Sequence, residues 1–197
     1  MPLSPPVSRR ALRHTRAIDV QAYARADGLW DLDARITDIK TFDTTLASGV
    51  RPGGAPLHDL HLRLTIDLNM TIVAVEAASD AVPYPGFCDT IGPAYGALLG
   101  LNLMKGFRHE LKQRVAGIAG CTHLSELAQI LPTAAIQAFA NDVWSTHDSA
   151  TAEAKAGAKA EGAHIKPFQL DKCHALRTDG AAVAQYYPRW AVRTGPA

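Results

Sequence analysis

The run GCTHLSEL at residues 120–127 is the strongest chemical signal in the sequence. Its glycine lets the backbone turn tightly, and Cys121, His123 and Glu126 then fall at the beginning of a predicted helix. His123 and Glu126 are three residues apart and share one helical face, so both could bind one metal ion, or Glu126 could fix the tautomer of His123. The positive field at a helix N-terminus favours a thiolate at Cys121. The ordinary alternative is a helix capped by Thr122 with a small buried cysteine.

A second motif, LHDL at residues 57–60, places His58 and Asp59 at the start of a predicted strand, directly after a glycine-rich loop. Strand ends that border loops are common places for functional groups. Neighbouring strand residues point to opposite faces, so His58 and Asp59 do not serve one site directly. His58 shares the apolar face of Leu60 and is expected to point toward the covering helices. An ordinary strand-edge histidine is the competing interpretation.

Two weaker motifs also contain cysteine. LDKCHAL contains Cys173 and His174 in a C-terminal segment that could close a site, although an adjacent Cys and His do not easily bind one ion together. PYPGFCD contains Cys88 in a loop rich in proline, and a lone loop cysteine is usually small and buried.

Together, these motifs predict a site for a borderline-soft ion such as zinc or iron. The candidate metal ligands are His58, Cys88, Cys121, His123, Glu126, Cys173 and His174. The candidate catalytic groups are His58, Asp59 and Glu126. The spacings match no standard zinc finger, whereas a catalytic ion needs only about three protein ligands and an open position. We favour His58, Cys121 or His123, and Glu126, with His174 as a closing contributor. A nucleophilic Cys121 paired with His58 or His174 stays open.

The bulk composition excludes several function classes. The chain has 197 residues, a formal charge of +1 and a pI of about 7.8, so it offers no strong field for nucleic acid or an anionic membrane. No stretch approaches the roughly 20 apolar residues of a transmembrane helix, and the basic N-terminus lacks the apolar run of a secretory signal. Three widely spaced cysteines favour a reducing compartment, and we expect the cytoplasm. No common nucleophile, nucleotide or metalloprotease motif occurs.

Alternating apolar residues predict three strands. Apolar side chains occur at every second position over residues 30–36 and again over residues 60–68, and residues 72–77 would return as a third strand. Residues 43–56 form a long loop rich in glycine and proline. We therefore expect an α+β fold, a three-stranded antiparallel meander covered on one face by three or four helices.

Helical periodicity follows the strands. Residues 90–101 and 103–116 are predicted helices, and a further helix begins at Cys121 or Thr122, with Pro132 expected to kink or restart it. The predicted organisation is an arm at 1–22, an α+β core at 23–147, a low-complexity tether at 148–164 and a segment at 165–197 that docks on the core.

The motifs also carry a resemblance. The runs DGLWDLDARITDIK, PLHDLHLRLTID, VPYPGFC, GIAGCTHLSEL and LDKCHAL, in this order, resemble the bacterial family known as domain of unknown function 2889 over roughly residues 23–190. The resemblance implies a stand-alone bacterial protein and no catalytic assignment. In fold, the order of strands, Cys88, two helices and Cys121 is similar to iron–sulfur scaffold proteins of the NifU type. That similarity implies their architecture, but this chain has no cysteine in the hairpin region.

We therefore expect a metal-dependent enzyme of the lyase or hydrolase type acting on a small organic molecule, with an aromatic substrate as one option. The alternatives are a scaffold that handles metal or iron–sulfur clusters, and a cofactor-free protein that binds a small molecule. The expected partner is a small-molecule substrate rather than nucleic acid or membrane, and a homo-oligomer is left open.

Overall fold

The structure is a computed structural model that describes residues 3–147, 149–150 and 164–192. It is a mixed α+β protein with two compact units, Met1–Ile136 and Gln137–Ala197. The first unit contains the predicted strands and the helices of residues 88–136. Most of the predicted tether lies outside the described residues, and the docking of residues 165–197 on the core stays a prediction.

A four-stranded antiparallel sheet organises the first unit, with one strand more than the three we expected. Its strands are β1 His14–Ala24, β2 Trp30–Lys40, β5 Pro56–Ile66 and β6 Ile72–Ala81, in the spatial order β1, β2, β5, β6. The additional strand, β1, lies where we expected an arm. It pairs with β2 without interruption, from His14 opposite Lys40 to Ala24 opposite Trp30. Because nearly every residue of β1 is exposed at the edge of the sheet, its sequence lacks the alternation of a half-buried strand.

The two central strands bury one face and expose the other. The buried row contains Trp30, Leu32, Ala34, Ile36, Leu60, Leu62, Leu64 and Ile66, as the alternation predicts. The opposite face of the same strands is charged, with Arg63 donating to both carboxylate oxygens of Asp33 across the strands at 2.6 Å. The buried row of β2 continues into Asp38, which is only 2% exposed.

The loop predicted at residues 43–56 contains a small hairpin, formed by β3 Thr44–Leu46 and β4 Gly49–Arg51. It folds back against the end of β2, since the N–H of Gly54 donates to the carbonyl of Lys40 at 2.8 Å. Strands of three residues are too short to show a period in the sequence.

The helical elements differ from the predicted ones in type and in extent. The first predicted helix is a 3-10 segment, Cys88–Leu98, and it contains Pro93, which cannot donate a helical hydrogen bond. Then come α1 Phe107–Val115, a 3-10 turn Gly117–Ala119 and α2 Thr122–Phe139. Of the two expectations for Pro132, a kink or a restart of the helix, the restart is wrong, since α2 runs through this residue. The fully buried neighbours Leu131 and Ala135 hold the helix in place despite the missing donor.

The second unit is small and partly aromatic. Its described elements are β7 Ser149–Ala150, β8 His164–Ile165, the 3-10 turns His174–Leu176 and Pro188–Trp190, and α3 Ala181–Tyr186. Trp144 lies between Phe139 and Phe168, with ring centroids 5.2 and 5.1 Å away in edge-on contacts. Among the described helices, none is long and apolar enough to cross a membrane.

The start of α2 is fixed by a buried tyrosine and a glycine. The hydroxyl of the fully buried Tyr95 accepts from the N–H of Cys121 at 3.0 Å and lies 2.7 Å from the carbonyl oxygen of the same residue. Gly120 lies so close to α1 that a β-carbon on it would be 2.1 Å from the carbonyl oxygen of Val115. Only glycine therefore fits the approach of the chain to α2.

Replacing Gly120 by alanine is expected to lower the free energy of unfolding by about 1–3 kcal/mol, since the new methyl group forces α1 and α2 apart. Urea denaturation measures the change. Gly96→Ala is the matched control, because a β-carbon there meets nothing within 4 Å. Equal stabilities for the two variants would contradict the close approach at Gly120.

Candidate metal centre

Asp38 is the centre of a polar cluster on the covered side of the sheet. It occupies the position in β2 where the apolar row of Trp30 to Ile36 continues, and its side chain is 4% exposed. A carboxylate in such a position needs hydrogen bonds or opposite charge to offset its lost hydration. Its neighbours on β1, β5 and α2 supply them.

Two residues of β1 hold one side of this carboxylate. Arg16, whose cross-strand partner is Asp38, donates from Nε to Oδ1 at 2.9 Å and from Nη2 to Oδ2 at 2.8 Å. The Nε2 atom of His14 lies 2.7 Å from Oδ1. Burial acts to raise the pKa of Asp38, but the hydrogen bonds from Arg16 and His14 outweigh it and lower that pKa to about 2. Asp38 is therefore an anion at neutral pH.

Two histidines from different elements approach the other side. His58 on β5 places Nδ1 at 3.1 Å from Oδ2 of Asp38, and His123 in the first turn of α2 places Nε2 at 3.3 Å from the same oxygen. Their rings are stacked, with centroids 3.8 Å apart and planes tilted by 32°. One ligand atom from each of Asp38, His58 and His123 lies within 4.8 Å of the others.

The acceptor capacity of Asp38 favours a cation at this point. Each oxygen of a carboxylate offers about two lone-pair sites. On Oδ1 they are filled by His14 and Arg16, whereas Oδ2 faces Arg16, His58 and His123 together. A cation between Oδ2 and the two ring nitrogens would occupy one lone pair of Oδ2, for which the two histidines otherwise compete. The second lone pair of Oδ2 would stay available to Arg16.

The distances agree with a coordination sphere. With metal–ligand bonds of about 2.0–2.1 Å, neighbouring ligand atoms lie about 3.3 Å apart in a tetrahedron and about 2.9 Å apart in an octahedron. The separations of 3.1 and 3.3 Å from Oδ2 to the histidine nitrogens fall in this range. Burial and the neighbouring His123 lower the pKa of His58, which favours the neutral imidazole that a metal ligand needs.

Cys121 lies beside the other nitrogen of His123. Its Sγ is 3.9 Å from Nδ1, on the far side of the ring from Asp38. Burial acts to raise the pKa of this thiol, but the contact with His123 and the N–H groups of Leu124 and His123 lower it more, so the pKa is below its ordinary value. Cys121, His123 and Asp38 thus form a chain of three polar groups.

The structure thus brings together two of the histidines singled out in the sequence, His58 and His123, with Cys121 at the edge of the group. Glu126 is close by but faces Arg16, accepting from Nη1 at 2.7 Å. Asp59 lies on the opposite face of the sheet, where Arg35 donates to both its oxygens at 2.7 and 2.6 Å. Those hydrogen bonds lower the pKa of Asp59.

The remaining candidates lie elsewhere in the chain. Cys88 begins the 3-10 segment of the first unit and is partly exposed. Cys173 is exposed and adjoins His174, and both belong to the second unit. Within the described residues, no cysteine belongs to a group of converging ligand atoms.

A second group of ligand-type side chains lies on the exposed face of the sheet. His61 Nε2 is 3.4 Å from Oδ1 of Asp59 and 3.0 Å from Oδ2 of Asp80. Arg35 already neutralises Asp59, and the Asp80 side chain is 69% exposed. Ion pairing accounts for this group, so it offers a weaker metal site than the group around Asp38.

Sequence reasoning missed Asp38, His14 and Arg16. The signal for Asp38 was present, because it stands in phase with the buried positions Trp30, Leu32, Ala34 and Ile36 of the same strand. A charge in the buried phase of a strand indicates a satisfied polar site. His14 and Arg16 had no comparable signal, since their strand is exposed along its length.

Comparison with known proteins identifies a family for this chain. The family described as "Protein of unknown function (DUF2889)" matches residues 14–137, which contain all the residues of the candidate centre. No curated protein and no solved structure matches the chain. The similarity to NifU-type scaffolds therefore stays without support.

The depressed pKa of Asp38 predicts a pH-dependent stability in metal-free protein. A folded-state pKa of about 2, below the unfolded value of 3.8, stabilises the fold above pH 4, and this contribution is lost as the pH falls from about 4 to 2. We expect the wild type to lose about 2 kcal/mol more than Asp38→Asn over that interval, measured by urea denaturation with a chelator present. Asp89→Asn, at an exposed position, is the control and should follow the wild type. Parallel curves for wild type and Asp38→Asn would contradict the assignment.

Proposed function

This chain belongs to the DUF2889 family of proteins of unknown function, and we propose that it is a metal-dependent enzyme of the lyase or hydrolase type acting on a small organic molecule. Zinc or iron would be held by Asp38, His58 and His123. The observation that supports this most is the convergence of one carboxylate oxygen and two imidazole nitrogens within 4.8 Å at a largely buried position.

The chemistry follows from the number of ligands. Two histidines and one carboxylate leave at least one coordination position open, as catalytic rather than structural sites do. An ion in such a site polarises a carbonyl group or lowers the pKa of bound water to about 7, which supplies hydroxide at neutral pH. Arg16 would fix the orientation of the ligand Asp38 through its two hydrogen bonds, as groups hydrogen-bonded to metal ligands commonly do.

Glu126 is the candidate acid–base group of this proposal. Its carboxylate is 41% exposed and is connected to Asp38 through Arg16, which contacts both. An exposed carboxylate next to a metal site can accept a proton from bound water or from substrate. His58, previously also a candidate for catalysis, is assigned to the metal.

The proposal also covers the binding partner and the cellular compartment. The partner would be a small molecule rather than nucleic acid or membrane. The cysteines Cys88, Cys121 and Cys173 are all free thiols, which supports a reducing compartment such as the cytoplasm.

Removing a ligand is expected to remove the metal. Protein purified without an affinity tag should contain near-stoichiometric zinc or iron by inductively coupled plasma mass spectrometry. His58→Ala and His123→Ala should each retain less than a tenth of it, in line with the loss of one of about three protein ligands. His109→Ala, an exposed histidine on α1, is the matched control and should keep the wild-type content.

Circular dichroism of the same samples separates metal loss from unfolding. A folded His123→Ala variant with full occupancy would contradict the proposed ligand set. So would a wild type that contains no metal and takes up neither zinc nor iron when these are added back.

A cysteine nucleophile is the second candidate function, favoured by the contact between Cys121 and His123. In this alternative His123 would accept the thiol proton at Nδ1, and Asp38 would orient the ring through Nε2. Cys121 would attack an acyl carbon and displace its leaving group, which takes the proton from His123, and water would then hydrolyse the thioester. The lowered pKa of Cys121 supports the same role.

Hydrolysis of p-nitrophenyl acetate distinguishes the two functions. For the metal-dependent enzyme, we expect a chelator to abolish hydrolysis, added zinc or iron to restore it, and Cys121→Ser to retain most of it. For a nucleophilic cysteine, we expect Cys121→Ser to lower the rate of hydrolysis at least about a hundredfold and the chelator to leave that rate unchanged. Cys88→Ser is the control for a thiol without a histidine contact, and it should match the wild type in both cases.

A further inference from the structure

We infer that the substrate of this centre carries an acid group, a carboxylate or phosphate, that is bound by Arg13 and Lys40 beside the ring of Phe42. This inference rests on the proposed function, which it extends by naming the substrate class. It comes from the charges at the end of the sheet where Asp38 lies.

The sheet register places Lys40 one pair along the same face from the proposed metal ligand Asp38. Lys40 is the cross-strand partner of His14, and Asp38 is the partner of Arg16 in the next pair on the same face. Two residues along a strand correspond to about 7 Å. This backbone spacing is comparable to the length of a small molecule with an acid group at one end.

The ring of Phe42 brings Arg13 and Lys40 together. The guanidinium carbon of Arg13 lies 4.2 Å from the ring centroid, and the ammonium nitrogen of Lys40 lies 5.4 Å from it. The backbone of this corner is tied down, since the N–H of Thr41 donates to the carbonyl of Arg13 at 3.3 Å and its hydroxyl donates to the carbonyl of Leu12 at 3.0 Å. The chain thus holds two positive charges over one aromatic surface.

These two cations lack the acidic partners that other cations of the sheet have. Arg25, Arg35 and Arg63 each bind an aspartate, at 2.6 Å in all three pairs. By contrast, within the described part of the chain no carboxylate lies within 4.0 Å of Arg13 or Lys40, and the first 18 residues contain no acidic residue at all. The aspartate next to Phe42 in the sequence, Asp43, accepts from the N–H of Gly53 at 2.9 Å instead.

Contact with an aromatic ring alone does not account for the pair. A cation over an exposed ring gains about 0.5–1 kcal/mol and keeps its N–H donors free. A guanidinium fork and an ammonium group together match the oxygens of a carboxylate or phosphate, with which charged hydrogen bonds are short and strong. The ring of Phe42 would support the apolar part of the same molecule.

Calorimetric titration of full-length protein with benzoate and with phenyl phosphate tests the inference. The double variant Arg13→Gln/Lys40→Gln removes the pair. Lys105→Gln/Arg108→Gln removes the same charge from exposed positions before and in α1 and serves as the matched control. Each protein is titrated once as the metal-loaded form and once with a chelator present, and benzamide serves as a neutral probe.

We expect Arg13→Gln/Lys40→Gln to weaken acid binding at least tenfold in both forms, while metal content and benzamide binding stay at wild-type values and the control double variant matches the wild type. Comparison of the dissociation constants of benzoate and phenyl phosphate shows whether the site prefers a carboxylate or a phosphate. Equal weakening in both double variants, or no weakening in either, overturns the inference. The titrations with chelator do not involve the ion, so they test the acid site independently of the metal. A protein that binds no metal would therefore refute the proposed function, while the effect of Arg13→Gln/Lys40→Gln on acid binding would still decide this inference.

Discussion

The ion pair between the buried Asp38 and the partly exposed Arg16 is the interaction on which the rest of the first unit depends. A carboxylate on the apolar face of a sheet is tolerated only if donors surround it, because an uncompensated buried charge is strongly destabilising. Arg16 can reach Asp38 only when β1 pairs with β2 in the observed register. The requirement to neutralise one side chain therefore fixes the position of the whole edge strand.

The same requirement explains why the centre collects residues from distant parts of the chain. His14 and Arg16 come from β1, Asp38 from β2, His58 from β5 and His123 from α2. The first turn of α2 reaches the sheet because Tyr95 holds the backbone of Cys121 and Gly120 lets the chain pass close to α1. All these residues fall within the first unit and within the range matched by the DUF2889 family, whereas Cys173 and His174 fall outside both.

Much of the fold could be predicted from local patterns, and the centre only in part. The apolar alternation of β2 and β5 indicated both strands and the buried face, because a half-buried strand leaves a period of two in the sequence. β1 left no such pattern, because its side chains are exposed along its length and backbone hydrogen bonds to β2 hold it in the sheet. His58 and His123 stood out by residue type, but their meeting depends on a contact between β5 and α2 that no local window contains. Asp38 was detectable as a charge in the buried phase of β2.

The ion pair of Arg16 with Asp38 raises the free energy of local opening of β1 above that expected for an edge strand. Edge strands normally open at low cost, since few buried contacts hold them and local opening requires little surface exposure. Detachment of β1 here would remove both His14 and Arg16 from Asp38 and leave its carboxylate with only His58 and His123 as neighbours. Amide hydrogens of β1 near Arg16 should therefore exchange with solvent far more slowly than the exposure of its side chains suggests. A cation bound at Asp38 would relieve that penalty and loosen the strand, so that occupancy of the centre and mobility of the sheet edge are coupled through one charge.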